Sequence, residues 1–176
     1  MNKTRGIDFE HLGLRDALDL AVLIEEEAHD RYIELAEQME AHRTPEAAKF
    51  FRFMAGNEAK HQAALYDRRT HIFGTEACKV TRAMLFDIEA PDYDAARAFM
   101  TVREALNAAL EAEVKAGAFF AAALPRIADP EVAQLFAELR DEEDEHQRLV
   151  QVELAKAPAD PAVHPSEFSD PPQSID

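Results

Sequence analysis

KFFRFMAGNEAKH at residues 49–61 and QLFAELRDEEDEH at residues 134–146 follow one pattern, and their likeness decides the fold. Apolar residues fall at matching positions, and each segment closes on Glu-x-x-His, giving Glu58/His61 and Glu143/His146. In each, a proline stands 16 residues before the histidine, within Thr44-Pro45-Glu46 and Asp129-Pro130-Glu131. With 21 Glu and 7 His in 176 residues, about one Glu-x-x-His is expected by chance. Glu26/His29 is such a copy without the surrounding repeat. The other two pairs read as one helical hairpin written twice.

Proline at the first helical position, after a capping Thr or Asp, is a helix start, because its missing N–H is one the helix leaves unbonded anyway. Helix 2 is therefore predicted from Thr44 (N-cap) and Pro45 to about His71, with Gly74 as a stop signal. Helix 4 is predicted from Asp129 and Pro130 to about Lys156. Apolar spacing predicts helix 1 over about Leu14–Met39 and helix 3 over about Asp94–Ala123, ended by Pro125. Short loops make helices 1–2 and 3–4 antiparallel neighbours. The stretch between helices 2 and 3 holds a short helix, Lys79–Phe86, and is long enough to run the length of a bundle. The expectation is an all-α, ferritin-like four-helix bundle of two antiparallel hairpins joined by a long crossover. It occupies residues 1–157.

Residues 158–176 differ in composition, with five of the nine prolines among Asp, Ser and Glu. Such a segment cannot bury enough apolar surface to fold alone. It reads as a Pro-rich acidic C-terminal arm docked on its own bundle or on a neighbouring subunit.

Helical phase selects the inward carboxylates, since each residue turns about 100° around the axis. In helix 4 the stripe Val132, Phe136, Leu139, Val150 and Leu154 centres on Glu143, with His146 about 60° to one side. In helix 2 the stripe Ala47, Phe51, Met54 and Leu65 centres on Glu58, with His61 offset in the same sense. Among Glu25, Glu26 and Glu27 the stripe of helix 1 selects Glu25. Helix 3 selects Glu113 over Glu104 and Glu111. Glu142 and Glu145 point elsewhere. Leu18, Ala21, Glu25 and Tyr32 map onto Leu106, Ala109, Glu113 and Phe120 at a constant offset of 88.

Four glutamates and two histidines thus stand where apolar residues belong. A single inward Glu can pair with a core Arg, and a single core His can simply be hydrogen-bonded. Four carboxylates converging on one core call for a cation, and oxygen with imidazole donors suits iron, manganese or zinc. His29, one turn from Glu25, reads as a hydrogen-bonding neighbour of the site. His11, His42, His71 and His164 read as surface residues.

The formal net charge of −16 argues against nucleic acid and anionic membranes as partners. The sequence contains no apolar run able to span a membrane, and residues 1–10 lack the apolar core of a signal peptide, so a cytoplasmic location is expected. Cys78 is the single cysteine, which excludes an intrachain disulfide and a Cys₄ metal module. Outward-facing Phe119 and Phe53 suggest a homodimer interface.

The segments EEEAHDRY, NEAKH and EEDEH, with 33 residues from Glu25 to Glu58, resemble the rubrerythrin branch of the ferritin-like di-iron carboxylate superfamily over residues 14–155. The resemblance implies two non-haem iron ions bridged by Glu58 and Glu143, with Glu25 and His61, and Glu113 and His146, as terminal ligands. It also implies Tyr32 beside the site, bonded to a ligand carboxylate; its other reading is a core aromatic with a satisfied hydroxyl. The implied activity is reduction of O₂ or H₂O₂ by an oxidoreductase. The alternatives are a non-enzymatic, ferroxidase-like iron-handling protein and a bundle holding zinc without redox chemistry.

The chain departs from the patterns of the superfamily in four respects. No rubredoxin-like Cys₄ domain is present, so an electron donor has to be a separate protein. Rubrerythrins proper carry a second Glu three residues after the third-helix ligand, where this chain has Ala116. Ala59 stands where bacterioferritins carry a haem-binding Met. The Pro-rich arm, in place of a short fifth helix, argues against a 24-subunit cage.

Overall fold

The structure is a computed structural model, and it describes residues 7–78, 80–81 and 101–159. Four helices form it: α1 Leu14–Ala41, α2 Pro45–Phe73, α3 Val102–Ala123 and α4 Pro130–Lys156. There is no strand among the described residues, and no helix among them is long and apolar enough to cross a membrane. The expected short helix at 79–86, most of the connection before α3, and residues 160–176 of the arm lie outside the described residues.

The helix ends follow local chemistry. Asp129 accepts hydrogen bonds from the backbone N–H of Glu131 and Val132, and Pro130 opens α4. Thr44 precedes Pro45, but its hydroxyl donates backwards to the Met39 carbonyl (2.8 Å) and so caps the end of α1 instead of the start of α2. Gly74, with φ +58°, terminates α2 in a conformation that costs glycine little. Helix α3 starts at Val102, later than the expected Asp94. Thr101 is extended (φ −70°, ψ 164°) and closes a reciprocal capping box with Glu104. That Thr-x-x-Glu signal is present in the sequence. The longer apolar pattern upstream obscured it.

The core consists of two apolar clusters. One gathers Leu18, Ala21 and Ile24 of α1, Leu65 of α2, Phe120 of α3 and Val132, Phe136 and Leu139 of α4. The other gathers Tyr32, Ala36 and Met39 of α1, Phe51 and Met54 of α2, Leu106 and Ala109 of α3 and Val150 of α4. The first half of α1 therefore shares an end of the bundle with the last halves of α2 and α3 and the first half of α4. Both hairpins are antiparallel, and α2 ends opposite the place where α3 begins. The connection between them joins the two ends of the bundle, as the crossover topology requires.

Phe119 is buried, which corrects its expected outward orientation. Phe9, from the segment before α1, lies over it with ring centroids 5.8 Å apart and packs edge-on against Phe136 at 6.2 Å. The Arg126 guanidinium lies over the Phe9 ring, 4.9 Å from its centroid. Of the two aromatics expected to face outward, only Phe53 is exposed.

A buried ion pair at the same end went unrecognised in the sequence. Arg69 of α2 donates to Asp19 of α1 at 2.7 Å, and also to the carbonyls of Gly74 and Glu76. It ties α1, the end of α2 and the departing chain together. At the opposite end, Arg103 of α3 donates to the Ala157 carbonyl (2.8 Å) and holds the end of α4.

Phe9→Ala is expected to destabilise the protein by about 3–5 kcal/mol, since a fully buried ring is lost and Phe119 uncovered. Thr101→Ala should cost about 1 kcal/mol through loss of the cap. Urea denaturation followed by far-UV circular dichroism measures both.

Candidate metal centre

The two apolar clusters meet at a polar layer. Glu25 follows Ile24 and lies one turn and more before Tyr32. Glu58 lies between Met54 and Leu65, Glu113 between Ala109 and Phe120, and Glu143 between Leu139 and Val150. All four glutamates and His146 are buried, and His61 is partly buried. Glu104 and Glu111 are exposed, so helical phase chose the inward carboxylates of α3 in agreement with the structure.

The layer is compact. His146 Nδ1 lies 3.2 Å from Glu58, 3.5 Å from Glu113 and 3.9 Å from Glu143. His61 Nδ1 lies 3.7 Å from Glu25. The two imidazole rings stack, with centroids 5.2 Å apart and planes within 6° of parallel. Both Nδ1 atoms are buried and make no hydrogen bond among the described residues. Such atoms ordinarily find a partner, and nitrogens left over among carboxylate oxygens are what a cation site leaves when drawn without its ion. Three overlapping groups could hold a metal: Glu58/His61/His146, Glu25/His61/Glu142 and Glu113/Glu143/His146, each with ligand atoms within 4.8 Å. The donor set fits a divalent transition metal.

Two of these contacts set proton affinities. Burial pushes the Glu113 carboxyl up, but contacts with His146, Glu143 and Tyr32 outweigh it and hold the group below its ordinary value. Tyr32 donates a short hydrogen bond to Glu113 Oε1, and burial together with the Glu113 charge raises the phenol well above its ordinary value. The Glu25 carboxylate raises His61 against the opposing effect of burial. Glycine at 117 keeps α3 close to α4. A Cβ there would meet the Gln147 amide nitrogen at 3.1 Å, and that same nitrogen donates to the Glu113 carbonyl.

The structure corrects the reading of Glu142. Its carboxylate turns toward the site, 3.9 Å from His61 Nδ1, and burial raises its proton affinity. The signal lay in the spacing, because Glu142 stands four residues before His146 and so on the same side of α4. His29 lies apart from all three groups and contacts the neighbouring Asp30 at 3.3 Å. His11 is exposed and paired with Asp8, His71 is exposed, His42 is partly buried, and His164 falls outside the described residues.

Two hairpins enclosing buried glutamates and histidines between apolar layers define a ferritin-like bundle with a carboxylate–histidine metal site. Within that class, the chain belongs to the rubrerythrin family, whose sequence pattern it matches over residues 16–154. That family places it among di-iron carboxylate proteins. Its fold is also similar to the crystal structure of an uncharacterized conserved protein from Magnetospirillum magnetotacticum MS-1. The two are 30% identical, with a TM-score of 0.72, over 87% of this chain and 100% of that one. No protein of curated function matches the chain.

Tyr32→Phe should destabilise the metal-free protein by about 2 kcal/mol, the worth of a buried hydrogen bond to a charged group. Glu113 is held below its ordinary value, so this difference is complete at neutral pH and shrinks as acid protonates the carboxylate. Denaturant midpoints of the two proteins across an acid pH series measure it.

Proposed function

We propose that this protein is an oxidoreductase that reduces O₂ or H₂O₂ at a non-haem di-iron centre held by Glu25, Glu58, His61, Glu113, Glu143 and His146. The observation that carries the reading is the buried polar layer itself, in which two imidazole nitrogens lie among four carboxylates without hydrogen bonds of their own. A pair of divalent ions nearly balances four carboxylate charges. When bound, iron supplies the electrons that reduce the O–O bond.

The protein's own groups hold and shield this chemistry. Apolar clusters above and below exclude water along the bundle axis. Tyr32 fixes the Glu113 carboxylate through its hydroxyl, and Gln147 fixes the α3 backbone at the same residue. With a single cysteine in the chain, electron delivery is assigned to a separate donor protein.

A second reading, a non-enzymatic iron-handling protein, is favoured by one observation. Position 116, where rubrerythrins proper carry a further carboxylate, is a buried alanine on α3.

Protein loaded anaerobically with Fe²⁺ is expected to consume about one H₂O₂ per two irons, and to continue only when a reductant is supplied. An iron-handling protein reacts once and stops under both conditions. Glu58→Ala and Glu143→Ala should abolish the fast reaction, and fast consumption by either variant defeats the assignment. Fe²⁺ should also raise the thermal midpoint of the wild-type protein, since an ion bound only by the folded state stabilises it. Calorimetry of metal-free and loaded protein reads that shift.

A further inference from the structure

The polar layer is closed on one side and open on the other. Around His146 the side chains are sealed: His146 is 5% exposed, Glu113 6% and Glu143 7%. Around His61 they are not, for His61 is 27% exposed and Glu142 42%, while Glu25 beside them is 3% exposed. The His61 edge is therefore where the described site meets solvent.

Glu142 differs from Glu138, Asp141 and Glu145 on the same helix. Arg68 donates to Glu138 (3.1 Å), Arg140 to Asp141 (2.9 Å) and Arg148 to Glu145 (2.6 Å). Glu142 has no such contact with Arg or Lys among the described residues, and turns instead toward His61 Nδ1. That nitrogen is buried, makes no hydrogen bond, and faces Glu25 and Glu142 at 3.7 and 3.9 Å. His146, stacked on His61 and sealed from solvent, also carries a buried Nδ1 without a hydrogen bond. Buried nitrogens without hydrogen bonds mark both rings as candidate ligands, His61 beside Glu25 and Glu142 and His146 beside Glu58, Glu113 and Glu143. A carboxylate open to solvent can exchange ligands with water, which its sealed counterparts cannot do as readily.

We propose that Glu142 is a fifth carboxylate and seventh ligand of the centre, which receives a divalent cation from solvent and passes it to the Glu25/His61 position. This rests on the di-metal reading above. Loading is then ordered by access. The Glu25/His61 side exchanges with solvent, and the Glu113/His146 side fills through it. The strongly acidic surface raises the local cation concentration at this mouth.

Co²⁺ serves as the probe, because its visible absorption reports binding without turnover. Wild-type protein should take up two Co²⁺ per chain, and stopped-flow absorbance should resolve a fast and a slow phase. Glu142→Gln keeps the shape and removes the charge. It should slow the fast phase about tenfold and weaken one of the two equilibrium sites about tenfold, within the range for groups that support metal ligands. Glu142→Asp should restore part of the rate. Glu145→Gln, an equal charge change on the exposed face of α4, should load like wild type, and circular dichroism should show all variants equally helical. Wild-type rates and affinities in Glu142→Gln overturn the assignment while leaving the di-metal reading intact. Equal slowing in Glu145→Gln also overturns it, by tracing the effect to surface charge in general. Failure of the wild-type protein to bind two Co²⁺ overturns both readings.

Discussion

Four carboxylates sharing one buried layer repel one another, and everything else in the bundle is arranged around that repulsion. Each buried carboxylate that is not fully compensated costs several kcal/mol, and two imidazoles can supply at most two positive charges against four negative ones. The layer survives because it is clamped between two well-packed apolar clusters and because hydroxyl and amide donors fix Glu113. A fold tuned for stability alone would fill these positions with leucine. Retaining charge there sacrifices stability for a site that a cation completes.

Neither hairpin can build this site alone. Each apolar cluster draws residues from all four helices, and two of the three overlapping Glu/His groups take ligands from both hairpins. Docking of the hairpins is therefore also assembly of the site. The buried Asp19–Arg69 pair and the Arg103–Ala157 contact pin the two ends of the bundle and hold the layer in register between them.

Much of this was legible in the sequence, for a physical reason. A helix rotates by a fixed angle per residue, so an apolar stripe fixes which of several adjacent glutamates faces inward. Glu25 could be told from Glu26 and Glu27, and Glu113 from Glu111. Proline after a capping side chain located the starts of α2 and α4. What phase cannot express is reach and cover. Glu142 lies off the stripe, yet its long side chain bends across to His61. Phe119 points away from the helical core, yet a segment without helical periodicity brings Phe9 over it. Asp19 and Arg69 each looked like an ordinary charged residue, because their partnership spans 50 positions and depends on how the hairpin closes.

The offset of 88 residues pairs Tyr32 with Phe120, and the two rings differ by one oxygen atom. That atom bonds Glu113, a contact that Phe120 has no hydroxyl to repeat. The internal repeat therefore stops short of true twofold symmetry. The phenol is carried by the first hairpin but bonds a carboxylate of the second, on the sealed side of the layer, while the Glu25/His61 side stays open. A duplicated hairpin has in this way become a pair of unequal partners, one enclosed and the other open to solvent.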